Sequence, residues 1–143
     1  MTGGQWVPPV VVREKVVERV VAGEDDLVVL SASAYVAASR RTALACLVQS
    51  IAEGSVSTSA YLVVRDDSPL HALKDLKGGS VGFVDPLSTH GYLYARKLLQ
   101  DAGLDLQRDL KEVRFLGNHQ AVLEAVRDGR VDVGATFQGG LTA

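Results

Sequence analysis

Residues Ser80 to Tyr92 read SVGFVDPLSTHGY, and this stretch decides the fold. Four residues of strand character, Val81 to Val84, run into Asp85-Pro86, and Ser88-Thr89 follow just before a long helical pattern. The order is strand, polar loop, helix. At such a junction the first backbone N–H groups of the helix lack intrahelical partners and the helix dipole adds partial positive charge, so the position favours an anion. The hydroxyls of Ser88 and Thr89 can add donors at the same point. The plainer alternative is that Ser88 only caps its own helix.

Similar junctions recur on either side. Downstream, Gly91 to Ala102 predicts a helix with Leu93, Leu98 and Leu99 on its apolar face, stopped by Gly103. Glu112 to Leu116 (EVRFL) reads as the next strand. It breaks at Gly117, and Asn118-His119 opens a helix through Val122, Leu123 and Val126 to Gly129, with Asn118 as N-cap and His119 in the first turn. Val131 to Ala135 (VDVGA) reads as the last strand, and Phe137 to Ala143 as a tail.

Upstream, Ala60 to Arg65 and Leu44 to Ile51 are β-type runs around a Gly- and Ser-containing loop. The segment DDSPLHALKDL predicts a turn and a short helix with Ser68 as N-cap and Pro69 at the first helical position, ended by Gly78-Gly79. His71 is then an exposed residue without a chemical role. Arg13 to Gly23 predicts a helix from Val16, Val17, Val20 and Val21, and Leu27 to Leu30 a strand buried on both faces. Ser31-Ala32-Ser33-Ala34-Tyr35 then opens an Ala-rich helix ending near Arg40-Arg41, with Tyr35 one turn in, either a core-edge aromatic or a ligand group. Trp6 to Val12, around Pro8-Pro9, suits only an edge strand or a lead-in.

Strand and helix alternate, which predicts an α/β fold: a mainly parallel sheet with helices on both faces. In such sheets ligands sit beyond the carboxyl ends of the strands, where all three polar junctions fall. At 143 residues the chain is one ordinary domain or two small lobes, and 47% hydrophobic with 22% charged residues reads as globular. A net charge of −2, with no basic run beyond Arg40-Arg41, argues against a nucleic-acid partner, so any anion must be held locally. No window has the ~18 apolar residues of a membrane span, and the N-terminus lacks the pattern of a signal peptide, which leaves export open. Cys46, the sole cysteine, lies in ALACLV and is expected to be a buried small hydrophobe. No G-x-S-x-G elbow, H-E-x-x-H or Cys/His spacing occurs, so neither a catalytic set, a metal site nor a cofactor is expected.

From Val16 to Thr136 the chain resembles the phosphate/phosphite/phosphonate-binding proteins of ABC importers, within the type II periplasmic binding protein fold. The resemblance rests on AYV at Ala34 to Val36, VVRDDSPLHALKDLKG at Val63 to Gly78 and VGFVDPLSTHGY at Val81 to Tyr92. It continues through FLGNH at Phe115 to His119 and AVLEAVRDGRVDVGA at Ala121 to Ala135. It implies an anion loop at Ser88 and Thr89, with His90 where a further serine is usual, a binding tyrosine at Tyr35 and a substituent-reading histidine at His119. Asp132 matches the acid of the last motif and is read as structural. With Ser31, Ser33 and Asn118 at the other helix starts, these are the expected ligand-binding residues. Thr58 and Ala60 depart from the family's usual Tyr and Ser before the hinge strand.

The resemblance further implies a partial first lobe (residues 1–60), a crossing strand (61–65) and a nearly complete second lobe (66–143). It also implies a small phosphonate- or phosphite-like oxyanion ligand, an ABC permease as partner and an extracytoplasmic location. An incomplete first lobe leaves room for a homo-oligomer. A sensor domain with the same pocket is the alternative, ahead of a hydrolase or a ligand-free fragment. Replacing Ser88 and Thr89 together by alanine is expected to spare the fold, both being read as loop-facing.

Overall fold

A computed structural model describes residues 15–49 and 59–138 of the chain. Its elements in order are α1 (Val16–Ala22), α2 (Ala32–Ser39), β1 (Ala60–Val63), a 3-10 turn (Leu73–Leu76) and β2 (Ser80–Phe83). A π-helical segment (Thr89–Tyr94) then continues into α3 (Ala95–Asp101), followed by β3 (Glu112–Phe115), α4 (His119–Arg127) and β4 (Val133–Phe137). The chain divides into two units, Met1–Leu44 and Ala45–Ala143.

In the second unit β2 is buried at every position, as its apolar run demands. Both β3 and β4 lie parallel to it, β1 runs antiparallel to β4, and the sheet order is β1-β4-β2-β3. Because side chains alternate across a strand, Val133 and Ala135 join Val81, Phe83, Ala95 and Leu99 in the core on the α3 side. Gly134 and Thr136 face α4. A Cβ on Gly134 would lie 2.6 Å from Val126 Cγ2 and 2.7 Å from Val122 Cγ1, so the missing side chain is what lets α4 lie this close to β4. With α3 on one face and α4 on the other, the expected mainly parallel sheet covered on both faces is the fold observed.

The opposite, amino-terminal end of the sheet is fastened by Asp132. Its Oδ2 accepts from Ser80 N and Ser80 Oγ, both at 2.7 Å, and Ser80 Oγ accepts from Asp132 N at 3.0 Å. These bonds give Asp132 the structural part expected of it.

In the first unit, Val17 and Val20 of α1 pack on Ala34 and Ala38 of α2. Here the strand expected at Leu27–Leu30 is not formed. Val28 and Leu30 lie against the helix pair, but Leu27 is 76% and Val29 99% exposed, and no ladder partner exists among the described residues of this unit. The run expected at Leu44–Ile51 likewise has no regular structure over its described part, and Cys46 is exposed, not buried.

Three boundaries move for local reasons. The helix expected from Pro69 is a 3-10 turn from Leu73, because the Asp75 carboxylate accepts from His71 N (3.1 Å) and Ala72 N (2.9 Å) while Ser68 Oγ only closes a turn with Leu70 N (3.2 Å). The helix expected from Gly91 starts at Thr89, with Leu93 N reaching back five residues to Ser88 O at 3.0 Å. The last strand starts at Val133, since the backbone N–H groups of Arg130 and Val131 are taken by Ala125 O and finish α4. Trp6 to Val12 and Thr58 lie outside the described residues.

Candidate functional site

The loop after β2 is closed by its own backbone. Val84 N donates to Gly91 O (3.0 Å), Ser88 N to Asp85 O (3.1 Å) and Leu87 N to the Asp85 carboxylate (2.8 Å). Gly91 N donates to Ser88 Oγ at 3.0 Å. A side chain at Gly91 would run into Val84 and come within 2.8 Å of Ser88 Oγ, so glycine is required where the helix turns back over the strand. This folding-back buries Ser88 and Thr89, each only 9% exposed.

The loop after β3 lies beside it. Leu116 N donates to Phe83 O and Gly117 N to Val84 O, both at 2.8 Å, so the ladder between the strands runs on into the two loops. Gly117 takes a left-handed conformation (φ 85°), and Asn118 Oδ1 then accepts from Ala121 N at 2.9 Å to cap α4. In consequence the π-helical segment and α4 both start at the carboxyl end of adjacent parallel strands.

Between these helix starts lies the end of β4. The Phe137 ring is 4.6 Å from the His119 ring and 6.2 Å from the His90 ring, centre to centre. His119 Nδ1 is 3.1 Å from Thr136 Oγ1, and Thr136 is fully buried. Burial pushes the His119 imidazole below its ordinary pKa; His90 pushes the same way and Asp85 opposes them. The electrostatic consequence is a largely neutral His119 near pH 7, a hydrogen-bonding group more than a fixed charge.

Of the residues expected to bind ligand, Ser88, Thr89, His90, Asn118 and His119 therefore gather at one end of one sheet. Ser31, Ser33 and Tyr35 belong to the first unit. There Ser31 Oγ accepts from Ala34 N at 3.3 Å, lies 3.1 Å from Ser33 Oγ, and Tyr35 is 37% exposed. At all three junctions the leading polar side chain caps its own helix, the plainer of the two roles read for Ser88. A cap does not exhaust a hydroxyl, because the Ser88 O–H remains a donor while the oxygen accepts. Being buried and capping, Ser88 does not simply face a loop, contrary to expectation, and its loss should cost the fold some stability.

Thr136 and Phe137 were not expected in the site. Placing the last strand at Val131–Ala135 stops short of both, whereas the alternation Gly134, Thr136 already puts the threonine on the α4 side. Among the described residues no cluster of three metal-ligating side chains occurs.

Comparison with known proteins follows the same outline. Residues 7–143 match the family described as ABC transporter, phosphonate, periplasmic substrate-binding protein. A curated relative, the phosphate-import protein PhnD of Mycolicibacterium smegmatis, is 31% identical over 133 residues, 85% of this chain and 41% of that protein. A binding-protein component of an ABC phosphonate transporter from Pseudomonas aeruginosa superposes with a TM-score of 0.77 at 20% identity, covering 91% of this chain and 45% of its own. XAC2383 from Xanthomonas citri, solved with a chloride ion, gives 0.72 at 24% identity over 88% of this chain and 49% of its own. At such identities these two structures show the fold alone, and this chain spans less than half of each of the three proteins. With the family match running through the strands, both helix starts and the end of β4, the chain belongs to the periplasmic substrate-binding proteins of phosphonate ABC transporters.

Proposed function

We propose that this chain forms the ligand-holding part of a solute-binding protein that captures a small oxyanion, of phosphonate or phosphite type, for ABC import. The observation that carries the reading is the meeting of two helix starts, at Ser88-Thr89-His90 and Asn118-His119, around Phe137 at the carboxyl end of the parallel strands. Helix dipoles and first-turn N–H groups there favour a negative group, and the partly buried surroundings strengthen each bond to it. Ser31, Ser33 and Tyr35, on residues 1–60 read as a partial first lobe, belong to the ligand-binding residues in this proposal. Tyr61 to Arg65 act as the crossing strand, and residues 66–143 as the second lobe. The ligand is bound and released unchanged, outside the cytoplasm, and delivered to a membrane permease.

Calorimetric titration of the chain with phosphate, phosphite, methylphosphonate and 2-aminoethylphosphonate tests this. Saturable heat for at least one is expected. Heat for none of the four removes the proposal.

A further inference from the structure

We propose that Thr136 is a positioning residue that holds neutral His119 in one tautomer, with the proton on Nε2, so that this nitrogen offers an N–H and not a lone pair. A threonine hydroxyl carries one proton. Thr136 is fully buried, and its only side-chain bond among the described residues is the 3.1 Å contact with His119 Nδ1. Were Nδ1 protonated, it would donate to Oγ1 and leave the hydroxyl proton buried without an acceptor, a costly state. With Nδ1 bare, the hydroxyl donates to it and both atoms are satisfied. The remaining proton of the neutral ring is then on Nε2.

The backbone makes this arrangement possible. Gly134 lets Val122 and Val126 of α4 close onto β4, and two residues further along the same face Thr136 meets His119 at the first turn of α4. The charged or titratable groups acting on His119 are His90, from the π-helical segment, and Asp85, from the loop after β2. Burial of the ring supports its neutral form. The result is a neutral donor for a fully ionised oxyanion, matched to it without the cost of burying an imidazolium. The consequence for binding rests on the oxyanion reading of the site; the tautomer itself does not.

The test is long-range 1H–15N correlation of the histidine rings in the 143-residue chain, at a pH where His119 is neutral. Wild type is expected to show His119 protonated on Nε2 and bare on Nδ1. A ring protonated on Nδ1, or an averaged pattern, overturns the proposal without need of any variant. In Thr136→Val the tautomer ratio is expected to move about fivefold toward Nδ1–H, the equivalent of one lost hydrogen bond, while Thr136→Ser keeps the wild-type pattern. Methylphosphonate affinity should fall in Thr136→Val in proportion to the Nε2–H fraction lost. A Thr136→Val protein with the wild-type ring pattern overturns the role given to the hydroxyl. A wild type that binds neither phosphate nor methylphosphonate, yet shows the Nε2–H pattern, contradicts the oxyanion reading and leaves the tautomer standing.

Discussion

Two four-residue stretches, Leu27–Leu30 (LVVL) and Ser80–Phe83 (SVGF), meet opposite fates, and the more apolar of them is the more exposed. Val29 is 99% exposed, whereas Val81 and Phe83 are fully buried. The difference lies in partners. β2 has parallel strands on both sides and a helix over each face, so its backbone groups and its side chains are both satisfied. Among the described residues of its own unit, the segment after α1 leans on a small helix pair, which covers Val28 and Leu30 and leaves Leu27 and Val29 exposed. Hydrophobicity places a stretch in a core only where a ladder and a second layer are available to receive it.

The sharpest way to break this comparison is to truncate one residue in each stretch. Phe83→Ala should cost the second unit about 3–5 kcal/mol in urea unfolding, and Val29→Ala less than about 0.5 kcal/mol. Equal effects would mean that β2 is not the centre of its core. Next in size, Gly134→Ala forces a methyl group against Val122 and Val126 and should cost about 1–3 kcal/mol, because α4 must lift from the sheet. The same measurement with Gly23→Ala, where open space surrounds the added carbon but φ is +70°, separates crowding from backbone strain.

A smaller effect is expected at the helix start beside β2. Ser88→Ala removes the acceptor of Gly91 N and should destabilise by ~1 kcal/mol, seen as a lower urea midpoint. Smallest of all is the pH dependence at the other end of the strand. Bonds from the Ser80 hydroxyl and backbone N–H hold the Asp132 carboxyl below its ordinary pKa. Its contribution is therefore complete above the unfolded value, about 3.9, and is lost as pH falls through the lower folded value. Comparing urea midpoints of wild type and Asp132→Asn, the gap between them should close only in that acid range. A gap that closes near neutral pH contradicts the assignment.

How far the residues alone foretold this follows from the same contrast. Much of the second unit could be read from its pattern because β2 and β3 each run into a polar turn and the helical segments that follow open on a capping side chain: Ser88, Asn118 and the sheet they frame all appear as expected. Near neighbours along the chain set those features. Leu27–Leu30 and Cys46 could not be read that way, since burial depends on distant segments that a local pattern does not contain. Thr136 and Phe137 alone were missed at the candidate site, where a boundary slipped by two residues. Ala125 O captures two N–H groups after α4, so β4 begins late and carries Thr136 and Phe137 to its end, where they meet His119.

Backbone 1H–15N spectra of the 143-residue chain, recorded through a methylphosphonate titration, test the central claim most directly. Saturable shifts should concentrate at Ser88 to Gly91, Asn118 to Ala121 and Thr136 to Phe137, the two helix starts and the strand end between them. Shifts confined to other parts of the sheet, or none at saturating ligand, would contradict it.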